Sequence, residues 1–560
     1  MSTAYAIKGI PVSDGEPIPT RKEVSAWYED PENTLQVSLF VQAFTAFQEM
    51  DIKKPLSYYQ IAGRSSIDAP IVLTRLLKQR VYEEMIKLIE KEVDSANQET
   101  WKAAARVWRL PYWDWAEHQR YLDNYGLPQI CTVEKIRIVP FSSDLQNPQP
   151  TAEVDNPLLK FTNPTGKHSE TNSLWENFES RQNYGVRPKQ LVGKKTDDPA
   201  RAWVDGVQDA NAVNTAMQGN INVSNPQGGL ISIGSIGDLY HRLVSRDYFT
   251  SWQANVDRQV AIFQAYNPTL WFNDIPQAEF AKPTDPLYPF QYDTDGNYWS
   301  SEMCRDWKRL SYDYDIPAQR SSGGVPSLLA LSAETEDTNR SSFNLMLNGR
   351  YGHTRKALQA ATEINGREND YIINIIYDRY ALNGKAYTTY FFLGDLPAGA
   401  TTKMTDQVRS QARNCIGSMY TFSSNLEVRE GEHCGNCVDQ RAAGLLSGAQ
   451  IPITGMLLSV AKDTSTPELS SLEPDGVQTY LDQQLQWLAF DNTTGARLDI
   501  SESLPRTRIF VMKGNVDHHL NDDTKLCHYL DYEALWSVSR DKDGGAKSDE
   551  HLNSVMPTNS

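Results

Sequence analysis

Apolar residues recur at helical spacing in three stretches of the first half of the chain. Val37, Phe40, Val41, Phe44 and Phe47 mark one face of a helix predicted from about Asn33 to Asp51. Leu73, Leu76, Leu77, Val81 and Met85 mark a second. It starts after Asp68, carries Pro70 in its first turn, where proline is tolerated, and runs to about Val93. The third lies within Ser235 to Pro268. Trp252, Val256, Gln259 and Phe263 recur along it, and Asn267-Pro268 stops the run. From Asp370 the pattern changes to β-branched and aromatic runs bounded by turn residues. Tyr387 to Leu393 and Arg506 to Met512 are the clearest strands. Residues 141–230, rich in Pro, Asn, Gly and Ser, read as long loops with short helices, the kind that often cover a binding site. The whole reads as an α+β chain. A helical domain is expected over 1–315, a connection over 316–345, a β domain over 346–538, and a disordered tail rich in Asp, Lys, Ser and Gly over 539–560.

Composition narrows the function classes. A chain of 560 residues with 40% hydrophobic and 22% charged content can bury a sizeable core. The net charge of −17, with no Lys/Arg block, argues against nucleic acid and against an anionic membrane surface. No apolar run approaches the roughly 20 residues a membrane span needs. The first residues show no apolar signal segment, so a cytoplasmic location is expected. Asn222, Asn339 and Asn492 each open a glycosylation sequon, which a cytosolic chain leaves unused. No Walker loop, nucleophile elbow or His-Glu-x-x-His is present. Cys434-Gly-Asn-Cys437, with His433 beside it, is half a zinc site. A structural zinc is expected there, with free thiols or a disulfide as the alternatives. His518-His519 reads as a solvated turn and not as a ligand pair.

Several segments resemble fungal tyrosinases, in sequence order. They are YAIKGIPVSDGEPIPT near the start, SYYQIAG at 57–63, RLPYWDWA at 109–116, Asn255-Val-Asp-Arg258, Asp313-Tyr-Asp315, and FFLGDLP, EHCGNC and LEPDGVQTYL in the second half. The resemblance implies a tyrosinase-like helical bundle followed by a β-sandwich of tyrosinase or haemocyanin type. In that family the bundle holds two copper ions through histidines, two of them spaced i and i+4 on one helix so that both imidazoles face one metal. Here the aligned positions carry Ser65, Arg75, Tyr240, Val244, Trp252 and Gln253. His241 is one residue out of phase, about 100° around the helix, and does not inherit the role. The chain also lacks most of the loop that follows the first ligand in the family.

No copper is therefore expected, and two readings follow from the resemblance. One is an enzyme without a redox metal. The chain then resembles the haemocyanin-like cyclopenases of fungal quinolone-alkaloid pathways, which contract the benzodiazepinedione ring of cyclopenin to viridicatin with loss of methyl isocyanate. The substrate would be a small aromatic alkaloid. Arg75, Tyr240 and His241 would be the catalytic candidates, with Ser65, Trp252 and Gln253 binding the substrate. The other is a catalytically inactive homologue that serves as a binding or assembly partner. Tyr240, Val244 and Trp252 would then simply refill a cavity. Arg75 tilts the balance, because filling a hole does not require a buried charge.

Overall fold

The computed structural model describes residues 5–51, 54, 56–58, 61, 70–114, 128–131, 133–146, 148–158, 258, 261–262, 284–316, 333–404, 414–421, 441–442, 444–463, 468–492 and 494–555. These fall into two compact units that divide between Glu336 and Asp337.

The first unit is built on aromatic packing. Strand β1 (Thr20–Arg21) leads into helix α1 (Val24–Glu29), then α2 (Thr34–Gln48), α3 (Pro70–Glu92) and α4 (Gln98–Val107). The expected apolar stripe of α2 is buried throughout: Val37, Phe40, Val41, Phe44 and Phe47 are at most 6% exposed. Phe40 stacks on Phe44 and on Trp108, and Tyr58 meets Phe44 and Phe47 edge-on. Such pairs add to their area burial. On α3, Leu77, Val81, Met85 and Ile89 form the buried face. Trp113 and Tyr112 of the RLPYWDWA segment are fully buried, as a packing role requires. Two hairpins complete the unit. Strands β2 (Lys135–Ile138) and β3 (Ala152–Asp155) pair antiparallel, and β3 lies inside the stretch expected to be loop. Strands β4 (Pro286–Gln291) and β5 (Tyr298–Ser300) do the same. β6 (Asp313–Tyr314) pairs parallel with β1.

A buried ion cluster ties three distant segments of this unit together. Arg258 is fully buried; its Nη1 donates to Asp114 Oδ2 at 3.1 Å and its Nε to Asp315 Oδ1 at 3.3 Å. The guanidinium also lies 4.6 Å over the ring of Tyr112, whose hydroxyl donates to Asp315 Oδ1 at 2.9 Å. Two carboxylates and an aromatic face thus replace the water that burial removes.

The second unit begins within α5 (Ala333–Tyr351) and continues with α6 (His353–Ala360). The connection expected over 316–345 is therefore helix from Ala333 onward. The burial of Phe343, Asn344 and Leu347 shows why: that stretch packs and does not merely link. Its strands are β7 (Asn369–Tyr377), β8 (Tyr387–Leu393), β9 (Cys415–Tyr420), β10 (Ser447–Pro452), β11 (Leu485–Asp491), β12 (Arg497–Leu498), β13 (Arg508–Asp517) and β14 (His528–Ala534). Helices α7 (Thr454–Lys462), α8 (Pro474–Gln484), α9 (Ile500–Ser503) and α10 (Asp549–Asn553) lie between and after them. The strands make two four-stranded sheets, in the orders β10-β7-β13-β14 and β12-β11-β8-β9, every pair antiparallel. Ile373, Ile451 and Val511 of one sheet share a core with Phe391, Met419 and Trp487 of the other, which is a sandwich. Gly417 of β9 faces Ile451 of β10 across the sandwich; a Cβ there would sit 2.8 Å from the isoleucine. β8 falls on the predicted residues and is buried on both faces, because Tyr390 and Phe392 feed a second small cluster behind the sheet. β13 runs five residues past its predicted end, since it pairs with β7 on one side and β14 on the other.

The tail expected to be disordered over 539–560 is folded as far as Val555. Gly545 bridges Ile509, and Ala546 is fully buried. The Asp543 carboxylate accepts the backbone N–H groups of Ile500 and Ser501 at 2.7 and 2.8 Å, which caps α9. The Asp543 carbonyl accepts Trp487 Nε1 at 2.7 Å. Ser548 caps α10 through His551 N–H. The polar composition that suggested disorder is that of caps and turns.

Asn492 follows β11. Its side-chain oxygen accepts the Thr388 hydroxyl at 2.9 Å, and its amide nitrogen is sealed from solvent.

Asp543→Ala should lower stability in denaturant unfolding by about 1–2 kcal/mol, the usual loss for such a cap. Asp541→Ala, at an exposed neighbouring position, should stay within about 0.5 kcal/mol of wild type. Arg258→Met should cost about 3–5 kcal/mol, because it leaves Asp114 buried without its counter-ion. A loss below about 1 kcal/mol would show the cluster to be dispensable.

Candidate functional site

Of the residues singled out from sequence, Arg75 alone lies in a described element, inside α3; its side chain lies outside the described residues. Ser65, Tyr240, His241, Val244, Trp252, Gln253, His433, Cys434 and Cys437 also lie outside them. What the structure does describe is the frame on either side. Ser57, Tyr58 and Ile61 of the SYYQIAG segment are buried ahead of position 65. Arg258, Ala261 and Ile262 are buried just after positions 252 and 253.

The faces of α3 can be read from its own residues. The fully buried face is Leu77, Lys78, Val81, Met85 and Ile89. At 100° per residue, position 75 falls on the line of Gln79, Tyr82 and Ile86, beside that face. Gln79 and Glu83 hold the N-terminal segment along the helix. Gln79 donates to Ala6 O and accepts from Lys8 N and Gly9 N, and the Tyr5 hydroxyl donates to Glu83 at 2.7 Å. Burial and the Glu83 carboxylate push the Tyr5 phenol well above its ordinary pKa, so it stays a donor. Gly9 is required there: at φ +82 a Cβ would collide with the Leu310 carbonyl.

The structure adds buried cations that the sequence did not disclose. Lys78, 1% exposed, donates to Leu310 O at 3.2 Å and lies 4.4 Å over the Tyr312 ring. Arg21, fully buried, lies 4.2 Å over the same ring and donates to the Tyr314 hydroxyl at 2.8 Å. Arg109 donates to the carbonyls of Ser311, Arg106 and Trp108; burial and the neighbouring Arg21 hold its pKa down to about 10. The one available signal was a lysine inside the apolar stripe of α3. These groups anchor the 310–315 segment, which carries Asp315 to Arg258.

An open cleft of about 490 Å³ lies between α3 and α4, floored by Tyr82 and Ile86. Its charges are paired locally, Lys102 with Glu90 and Arg106 with Glu99. It does not gather the predicted site. Among the described residues no group of three metal-ligating side chains occurs, and no helix is long and apolar enough to cross a membrane.

Comparison with known proteins accounts for this frame. Residues 370–511, most of the sandwich, match the Tyrosinase C-terminal domain family. The chain is 27% identical to a tyrosinase of Aspergillus fumigatus over 573 aligned residues, covering 80% of this chain and 84% of that one. It is 21% identical to a tyrosinase of Neurospora crassa, covering 98% and 99%. The solved apo-protyrosinase melB of Aspergillus oryzae shares its fold, with a TM-score of 0.64 at 20% identity over 98% of this chain and 99% of that one. The fold is therefore shared with a solved protyrosinase, and most of the sandwich is similar to the tyrosinase C-terminal domain.

Proposed function

We propose that the chain catalyses a redox-neutral, lyase-type ring contraction of a benzodiazepinedione alkaloid of the cyclopenin kind to a quinolone of the viridicatin kind, releasing methyl isocyanate. What supports this reading is the set of residues that the resemblance places at the copper-ligand positions: Ser65, Arg75, Tyr240, Val244, Trp252 and Gln253. Copper does not fit that set. A hydroxyl, a guanidinium, a phenol, an alkyl group, an indole and a carboxamide offer no imidazole, and no step is derived through the metal.

The same residues suit a flat heteroaromatic ligand. The reaction opens an epoxide, contracts the ring and expels the isocyanate with no net electron transfer. It needs one proton moved and one developing anion stabilised. Arg75, permanently charged, would face the anion. Tyr240 or His241 would move the proton, Trp252 would stack on the substrate ring, and Ser65 and Gln253 would hydrogen-bond its amides. In the second unit, Cys434 and Cys437, with His433, would hold a structural zinc.

A second reading has its own support. The relatives named above are called tyrosinases, and others, from Agaricus bisporus, polyphenol oxidases, so phenol oxidation is the activity their names favour.

Two assays separate these readings. Purified protein loaded with copper should show no oxygenated-dicopper absorption band and no turnover of catechol; either would establish the oxidase. The same protein should convert a cyclopenin-type substrate, with the quinolone followed by mass spectrometry. Arg75→Ala should then lose about 10²–10³ in rate while remaining folded. A folded Arg75→Ala with wild-type turnover would remove Arg75 from the mechanism. Absence of any conversion by the wild type would favour an inactive, partner-binding homologue. For the second unit, Cys434→Ser/Cys437→Ser should lose zinc and thermal stability together, and unchanged metal content would place the metal elsewhere.

A further inference from the structure

The hairpin joining β13 to β14 is held more firmly than a surface turn requires. From α5, Asn344 donates to the Thr524 carbonyl at 2.7 Å. Asn348 donates to those of Asp523 and Lys525 at 2.8 and 2.7 Å. From α6, Arg355 donates through Nε to the His518 carbonyl at 2.8 Å, through Nη2 to the His519 carbonyl, and through Nη1 to the Asp523 carboxylate. Gln359 donates to the Leu520 carbonyl at 2.7 Å. Four side chains are thus committed to the backbone of one loop.

The clamp encloses an imidazole. His518 is 5% exposed, against the expectation of a solvated turn, because Arg355 draws its carbonyl inward and the chain turns at His519, whose φ is +43. His518 Nδ1 lies 3.4 Å from the Sγ of Cys527, itself 8% exposed, close enough for the thiol to donate to the ring. The charged and titratable groups facing the ring are Arg355 on α6, Asp517 on β13, His519 and Asp523 in the loop, and Cys527 before β14. The backbone of Arg367 lies beside it as well. The carboxylates do little for it. Asp517 is exposed and paired with His519, and Asp523 is exposed and paired with Arg355. The buried charge next to the ring is the Arg355 guanidinium, 3% exposed.

We propose that the 518–527 loop is a proton-operated latch, closed on the α5–α6 clamp while His518 is neutral and released when His518 is protonated. Neutral His518 accepts the Cys527 thiol proton and tolerates Arg355. Imidazolium can no longer accept from the thiol, keeps only the weak sulfur acceptor, and adds a second buried cation beside Arg355. Release exposes the ring to water and uncovers Cys527.

The direction with pH follows from linkage. Burial and Arg355 hold the closed-state pKa of His518 down to about 4, from 6.5. The open loop takes up a proton below about pH 6.5 and the closed loop only near pH 4. The closed form is therefore fully favoured above pH 6.5, loses ground as pH falls from 6.5 to 4, and loses little more below. The open fraction should rise by about a hundredfold between pH 7 and pH 4.

The test is pulse labelling of the full chain with 4,4′-dithiodipyridine, which modifies thiols in acid. Cys527 modification is quantified by peptide mass spectrometry against an unfolded Cys-peptide standard, and circular dichroism on the same samples reports the global fold. The expected result is a rise of about a hundredfold in relative Cys527 labelling from pH 7 to pH 4, with dichroism unchanged, and no such rise in His518→Asn. Labelling of the wild type that does not vary with pH, or an equal rise in His518→Asn, overturns the latch. Hydrogen exchange of the wild type supplies an arm independent of the variant's folding. Protection of peptides spanning 518–527 should fall below pH 6.5, relative to β13, after correction for intrinsic rates. Protection retained to pH 4 overturns the proposal.

Discussion

The guanidinium of Arg258 is the contact on which the first unit turns. It satisfies Asp114 and Asp315 at once, 144 and 57 residues away in sequence, and lies over Tyr112 as well. A charge buried to this degree is tolerated only if every partner stays in place. Movement of the segment that carries Arg258 would cost both carboxylates their counter-ion, and movement of either carboxylate would cost the arginine one of its two ion pairs. The buried aromatic residues of the unit contribute hydrophobic driving force, but burial of apolar surface is non-directional and does not by itself set register. Arg21 and Lys78 repeat the device on the ring of Tyr312, and together these contacts fix the 310–315 segment that delivers Asp315.

These contacts hold the first unit together without the candidate site residues. None of the contacts to Arg258, Arg21 or Lys78 described above runs through positions 65, 75, 240, 244, 252 or 253. Frame and chemistry can be carried by different residues of one fold. Function therefore has to be argued from the site residues themselves, and the names of relatives report mainly on the frame.

How much could be read in the sequence depended on the kind of force involved. The stripe of α2 and the alternation-free run of β8 announce themselves because burial of apolar surface leaves a periodic trace. The RLPYWDWA segment was readable through its aromatics. Buried cations leave a fainter trace: Lys78 is marked only by its place beside the apolar stripe of α3, and its partners, Tyr312 and the Leu310 carbonyl, lie far along the chain. His518 was misjudged for a related reason, since the arginine that draws it inward lies 163 residues away. The polar tail was misjudged because capping residues and disordered residues share a composition. Of the candidate site, only the backbone of Arg75 could be placed, on α3 next to its buried face.

The side-chain amide of Asn492 deserves a separate reading in terms of timing. Its oxygen is engaged by Thr388 across the β8–β11 pair and its nitrogen is closed off from solvent. That nitrogen is the atom a sugar would be attached to. Once the sandwich has formed, no transferase can reach it, so an oligosaccharide at this sequon would have to be installed on the nascent chain. It would then stand at the end of β11, against Thr388 of the neighbouring strand. Folding and glycosylation compete for the same atom, and a host that routes this chain past an oligosaccharyltransferase would divide its product between a folded form without the sugar and a glycosylated form unable to close the sheet.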